Sequence, residues 1–153
     1  MSDLTWAEAE LLQSISAEIS SGDITVTHDT DAILAALDAT FPFPDNRLDW
    51  SKVPGAIADG GPTTPHAPGD FVGFLSSLST QLKLSGRVAV IGDNQINFAV
   101  LGELANVLRV LARITEFPQH TYIYPYPNVT WCASKTFEND FYFGFAPIQG
   151  TGQ

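Results

Sequence analysis

One histidine and the only cysteine of the chain lie close together in a segment crowded with aromatic residues. His120 and Cys132 fall in the stretch FPQHTYIYPYPNVTWCASKTFENDFYFGF, which also holds all four tyrosines and five of the ten phenylalanines. A cysteine next to a histidine can act as a nucleophile, because the imidazole removes the proton of the thiol. One hypothesis is therefore a small enzyme that uses His120 and Cys132.

The alternation of this segment predicts three antiparallel strands, near 120–125, 130–137 and 140–146. We place the turns at 125–129 and 138–140, so that Tyr122 lies opposite Cys132. One face of this meander then carries the residues that a core requires: Thr121, Ile123, Trp131, Ala133, Phe137, Phe141, Phe143 and Phe145. The other face is amphipathic, is expected to meet water or a partner, and carries His120, Tyr122, Tyr124, Cys132, Ser134, Thr136 and Tyr142.

This register weakens the enzyme hypothesis and allows a second one, in which the outer face has a structural role. His120 and Cys132 share the outer face only as a diagonal pair, with β-carbons about 7 Å apart, which is loose for a nucleophile and its base. A surface histidine and a half-buried thiol are the more ordinary interpretation. The outer face also allows a structural or assembly module. Lys135 is the misfit of the core face, and we expect its stem to be buried while its amine reaches water.

Two further patterns have the residue types of a cofactor or metal site. Residues 88–93 resemble the first strand of a nucleotide-binding fold, but the next glycine is Gly102, so the GxGxxG motif is absent. His28, Asp29 and Asp31 offer three metal ligands, yet carboxylates before a helix more often cap it. We therefore expect no cofactor and no metal ion.

Charge is the strongest signal in the sequence. The net charge is −10, and the first 75 residues hold twelve Asp and Glu against two Lys and Arg. Such a field repels nucleic acid and anionic membranes and attracts a basic partner, although acidic solubility explains it equally well. Trp50, flanked by Asp45 and Asp49, is our preferred anchor for such a partner. Weaker candidates for the same role are Glu8, Glu10, Asp29, Asp31 and Asp59.

The helices and strands that must position these residues can be predicted from the sequence pattern. They indicate an α+β fold, in which about four helices pack on an antiparallel sheet that includes the C-terminal meander. The helices are expected near 5–20, from Thr30 to Pro42, at 70–84 and at 101–116, with strands near 24–27 and 87–91. We expect a single domain, 1–153, with a loop rich in proline and glycine at about 42–69. No signal sequence or membrane span is expected, and the lone cysteine fits the reducing cytoplasm.

The C-terminal third carries a family resemblance. Pro118-Gln119-His120-Thr121-Tyr122, followed by a Trp131-Cys132 strand and a closing aromatic strand, resembles bacterial toxin-immunity proteins of contact-dependent growth inhibition systems. The resemblance implies a cytoplasmic protein that is not an enzyme and that binds and neutralises a cognate toxin domain. Together with the charge, it favours a basic toxin, with a nuclease as one candidate class.

Overall fold

The computed structural model describes residues 5–42, 48–59, 70–92, 97–116, 120–136 and 140–146. It confirms the α+β class: one seven-stranded antiparallel sheet has the strand order β1-β4-β3-β5-β6-β7-β2. The strands are β1 Ile24–Thr27, β2 Ile57–Asp59, β3 Arg87–Gly92, β4 Ala99–Glu103, β5 Thr121–Pro125, β6 Trp131–Lys135 and β7 Phe141–Phe145. The helices are α1 Trp6–Ser14, α2 Ser16–Ser21, α3 Asp31–Thr40, α4 Asp70–Leu82 and α5 Leu104–Ile114.

One face of the sheet, here called the α5 face, holds the larger core. Helices α1, α4 and α5 pack on it, and its buried side chains from the sheet include Val88, Val90, Ile123, Trp131 and Phe143. The helix α5 is amphipathic, with buried apolar residues on one side and polar residues on the other. No helix in the described ranges is long and apolar enough to cross a membrane.

The opposite face of the sheet, here called the α3 face, is covered as well. Helix α3 and residues 48–56 bury Ala89, Ile91, Tyr122, Tyr124 and Cys132. The prediction that this face meets water or a partner is therefore wrong for its central residues. Tyrosine hydroxyls need hydrogen-bond partners, which is why this face was predicted to meet water or another protein. In the structure the partner is internal: the Tyr124 hydroxyl donates to the Ile33 carbonyl of α3 at 2.7 Å.

The meander forms with the predicted faces but in a different register. Thr121 lies opposite Lys135, and Lys135 opposite Phe141. Both hairpins are thus shifted by two residues from the predicted pairing, because each turn lies one residue away from its predicted position: β5 and β6 are joined through 126–130, and the Thr136 amide already pairs with the Asp140 carbonyl. A shift of two preserves which face each side chain occupies, so the core-face prediction holds for the described residues. Phe137 lies outside them, and Phe145 is half exposed at the sheet margin.

Other helices and strands begin or end at residues that differ from the predicted ones. The first helix breaks at Ile15, where Arg113 of α5 donates to the Ser14 carbonyl and so competes with the helical ladder. The apolar run 99–103, part of which we assigned to the fourth helix, is the strand β4 between β1 and β3. The predicted loop at 42–69 includes two short elements: a 3-10 turn at Trp50–Lys52 and the strand β2.

Two charged side chains are buried on the α5 side of the sheet, and both differ from expectation. Lys135 is only 1% exposed, so its amine does not reach bulk water, and its hydrogen bond goes to the Thr136 carbonyl at 3.5 Å. Burial lowers the pKa of this amine. Glu8, one of the weaker candidates for binding a basic partner, is 2% exposed.

Glu8 completes a capping box at the start of α1. Its side chain accepts from the Thr5 amide, while Thr5 Oγ1 accepts from the Glu8 amide. Its second oxygen accepts from the Asn97 amide at 2.8 Å, which ties α1 to the residues before β4. Burial by itself raises the pKa of Glu8, but these hydrogen bonds outweigh burial and hold the pKa below its ordinary value.

We predict that Lys135→Met raises the free energy of unfolding at pH 7 by about 1–3 kcal/mol, because it removes a buried charge that has no carboxylate partner among the described residues. Since folding lowers the pKa of this amine, its cost is full below the folded-state pKa and shrinks as pH rises from there toward 10.5. Urea unfolding across this pH range measures the difference. Exposed Lys83→Met is the control, and equal effects of the two substitutions would contradict the prediction.

We predict that Glu8→Gln lowers the free energy of unfolding at pH 7 by about 1–2 kcal/mol, because a charged acceptor of backbone amides becomes neutral. Folding lowers the pKa of Glu8, so its contribution is present above 4.5 and is lost as pH falls through the folded-state pKa. The gap between the two proteins should therefore close in acid. Exposed Glu10→Gln should change stability by less than about 0.5 kcal/mol, and a loss equal to that of Glu8→Gln would refute the capping role.

Candidate functional site

The structure separates the predicted binding residues into two groups on different parts of the sheet. Glu8, Glu10, Asp29 and Asp31 lie near the end of β1, whereas Asp49 and Trp50 lie over β7. Four strand spacings, about 19 Å, separate β4 from β7. Asp59 ends β2, where its backbone pairs with Phe141, and Asp45 lies outside the described residues.

The first group forms around one corner of the sheet. Glu8 of α1 binds the Asn97 amide, and the ring of the neighbouring Phe98 meets the His28 ring edge-on at 5.6 Å. His28 and Asp29 follow β1 directly and lead into α3 at Asp31. These contacts bring the start of α1 and the start of α3 to the same corner, although the two helices cover opposite faces of the sheet.

What this corner presents to solvent differs from what the sequence suggested. Glu8 is buried, but Glu10, Asp29 and Asp31 are exposed, and so is Trp6, with 77% of its surface accessible. We call these four residues the acidic corner. We did not predict Trp6 as a site residue, although its place immediately after the Thr5 cap, on the side of α1 away from Ala7 and Leu11, is a signal that the sequence contained.

The charges of the corner are not neutralised within the described part of the chain. On the α5 side, Arg109 pairs with Asp23 and Arg113 with Glu18, each at 3.2 Å. By contrast, none of the described ion pairs includes an acid of the acidic corner. Within the described ranges, no group of three His, Cys, Asp or Glu could hold a metal ion. The corner thus combines exposed carboxylates of α1 and of residues 29–31 with one large exposed aromatic side chain.

The second group lines a groove of about 480 Å³ on the α3 side of the sheet. The Trp50 ring stacks on Tyr142 at 5.5 Å with an angle of 10°, and its indole N–H donates to Ser134 Oγ at 2.9 Å. Trp50 is therefore pinned to the sheet rather than projecting from it. The groove lining, which we call the Trp50 groove, consists of Leu48, Asp49, Trp50, Ser51, Ala56, Ala58, Thr136 and Tyr142.

Asp49 supplies the negative charge of the Trp50 groove. Its Oδ1 accepts from the amide of Ser51 at 3.1 Å and from the Ser51 hydroxyl at 2.5 Å, which caps the 3-10 turn. Its Oδ2 is 3.9 Å from the amine of Lys52, a loose and largely exposed ion pair. The hydrogen bond from Ser51 lowers the pKa of Asp49, so this carboxylate is ionised at neutral pH with one oxygen lightly engaged.

His120 and Cys132 are farther apart than the predicted register implies. Extension of the β5–β6 pairing places Tyr124 opposite Cys132, and His120 lies four residues along β5 from Tyr124. At the rise of a strand this separation is about 13 Å. Cys132 is fully buried, and burial raises the pKa of its thiol, which disfavours the thiolate. The geometry gives no support to a nucleophile–base pair.

We predict that Gly144→Ala destabilises the packing that holds Trp50 in place. A β-carbon at position 144 would lie 2.8 Å from Val53 Cγ1 and 3.1 Å from Trp50 Cζ3, so the turn must move away from the sheet. We expect the free energy of unfolding to fall by about 1–3 kcal/mol, measured by urea unfolding.

Gly73→Ala provides the matched control for this substitution. A β-carbon at position 73 meets nothing within 4 Å, and the residue lies within α4, where alanine is favoured over glycine by about 1 kcal/mol. Gly73→Ala should therefore leave stability unchanged or raise it. A Gly144→Ala protein as stable as the Gly73→Ala protein would contradict close packing of Trp50 on β7.

Comparison with known proteins adds no relationship to these observations. No family model matches the chain, and neither a curated protein nor a solved structure matches it.

Proposed function

We propose that this chain is an immunity protein that binds and neutralises a cognate basic toxin domain in the cytoplasm, with a nuclease as one candidate class of toxin. The observation that carries the proposal is the acidic corner: Trp6, Glu10, Asp29 and Asp31 are all exposed where α1 and α3 start, and none of these acids belongs to a described ion pair. The resemblance of the C-terminal segment to bacterial toxin-immunity proteins supports the same assignment.

The composition of the acidic corner suits a protein interface. Tryptophan is enriched among the residues that contribute most to binding, because it buries a large rigid surface. Surrounding carboxylates accelerate encounter with a positively charged partner and disfavour neutral or acidic ones. A nuclease presents such a positive surface, because it must itself attract phosphate groups. An inhibitor with an acidic surface can therefore cover the region that a nuclease uses for its substrate.

The test uses the protein encoded next to this chain as the candidate toxin. We expect the chain to bind it and to restore growth of cells that express it. Replacing Asp29 and Asp31 together by lysine should lower the association rate constant about tenfold or more at low salt, with a smaller effect at high salt. Trp6→Ala should weaken binding about 30-fold, mainly through faster dissociation. Stopped-flow and surface plasmon resonance measurements give both rates.

The control variant replaces Glu103 and Glu116 together by lysine. Both residues are exposed at the ends of α5, outside α1 and residues 28–31, and the substitution changes the net charge by the same amount. It should leave most of the binding intact. Equal losses of binding in the two double variants would show that binding depends on net charge and not on the acidic corner. Absence of binding to any basic neighbour-encoded protein would reject the proposed function.

A further inference from the structure

The strand β2 is an open edge of the sheet. Its inner side pairs with β7 through Ile57–Phe143, Ala58–Tyr142 and Asp59–Phe141, and within the described residues no strand pairs with its outer side. An edge strand presents backbone N–H and C=O groups that another extended chain can use. The question is whether the side chains around this edge fit a particular kind of chain.

On the α5 face, the edge is apolar and accessible. Ile57 lies opposite Phe143 and is 41% exposed, and Phe145 is 50% exposed. The rings of Phe143 and Phe145 meet edge-on at 5.3 Å, so the exposed ring continues directly from the core. A side chain that packed here would add to an existing apolar cluster.

On the α3 face, the same edge borders the Trp50 groove. Ala58, the middle residue of β2, lines the groove together with Tyr142, its partner on β7, and with Trp50 and Asp49. The walls are largely apolar and aromatic, and the charge comes from Asp49, whose Oδ2 is only loosely paired with Lys52 at 3.9 Å. Such a groove fits an aliphatic stem that ends in a positive charge.

We propose that an extended segment of the basic partner adds to β2 as a further strand. Because side chains alternate across a strand, such a segment places one residue on the α5 face and the next on the α3 face. An apolar residue then packs on Ile57 and Phe145, and the adjacent lysine or arginine enters the Trp50 groove with its cation toward Asp49 Oδ2. The proposal rests on the proposed function only in taking the partner to be basic.

The first test uses a synthetic probe in place of the toxin. The pentapeptide acetyl-Val-Arg-Val-Arg-Val-amide should bind saturably in calorimetric titration, and bound peptide should slow amide hydrogen exchange at residues 57–59. The counterpart with glutamate in place of arginine should not bind. Saturable binding of both peptides with equal affinity, no binding of the arginine peptide, or unchanged exchange at residues 57–59 would overturn the proposal.

Three variants of the chain locate the peptide. Asp49→Asn retains the shape of the cap but removes the charge, and should weaken binding about fivefold. Ile57→Thr removes apolar surface at an exposed β-branched position and should also weaken binding. Glu103→Gln makes the same carboxylate-to-amide change at a distant exposed site and should leave the affinity unchanged. An affinity that is the same in all three variants would place the peptide elsewhere.

The neighbour-encoded toxin then separates this inference from the proposed function. If Asp49→Asn and Ile57→Thr both leave toxin binding unchanged while Trp6→Ala weakens it, the strand-addition proposal is overturned and the immunity function stands. If the toxin does not bind but the arginine peptide does, the immunity function is rejected while strand addition at β2 is supported.

Discussion

The architecture depends on burying the central strands of one sheet on both faces. Since β5 is covered on both sides, its polar groups need internal partners, and these partners fix the covering elements. The Tyr124 hydroxyl holds the Ile33 carbonyl of α3 at 2.7 Å, and the Tyr122 hydroxyl accepts from the Leu48 amide at 3.4 Å. The Trp50 indole donates to Ser134 at 2.9 Å. Three side-chain hydrogen bonds thus attach α3 and the turn after it to a surface that would otherwise be a bare aromatic face.

This constraint also determines where charge can go. The basic residues of α5 are engaged with Asp23 and Glu18, which ties α5 to the segment between α1 and β1. None of the described ion pairs includes an acid at the start of α1 or α3, and of these acids Glu8 is buried as a cap. Glu10, Asp29 and Asp31 therefore remain exposed where the two covering layers meet at the end of β1. The other charged feature, Asp49, belongs to the turn that the Trp50 hydrogen bond positions.

Much of the fold could be predicted from the sequence, because period-two and period-3.6 patterns survive in β1, β3, the meander, α4 and α5. Side-chain faces were predictable even though the register was not, since a shift of two residues leaves them unchanged. The burial of the α3 face, which carries Tyr122, was not predictable, because it depends on whether helix α3 packs over the sheet. The three-residue β2 gives no periodic signal of its own and forms only by pairing with β7. For the candidate site, composition identified acidic residues but could not group them: the corner requires the Glu8–Asn97 bond, which links residues far apart in sequence.

We propose the acidic corner as the surface that binds the basic partner, and amide hydrogen exchange of the chain with and without that partner is the decisive measurement. We predict slower exchange at residues 6–10 and 28–31 in the complex, with the exposed sides of α4 and α5 unchanged. Protection confined to α4 and α5, or no protection at the corner in a saturated complex, would contradict it.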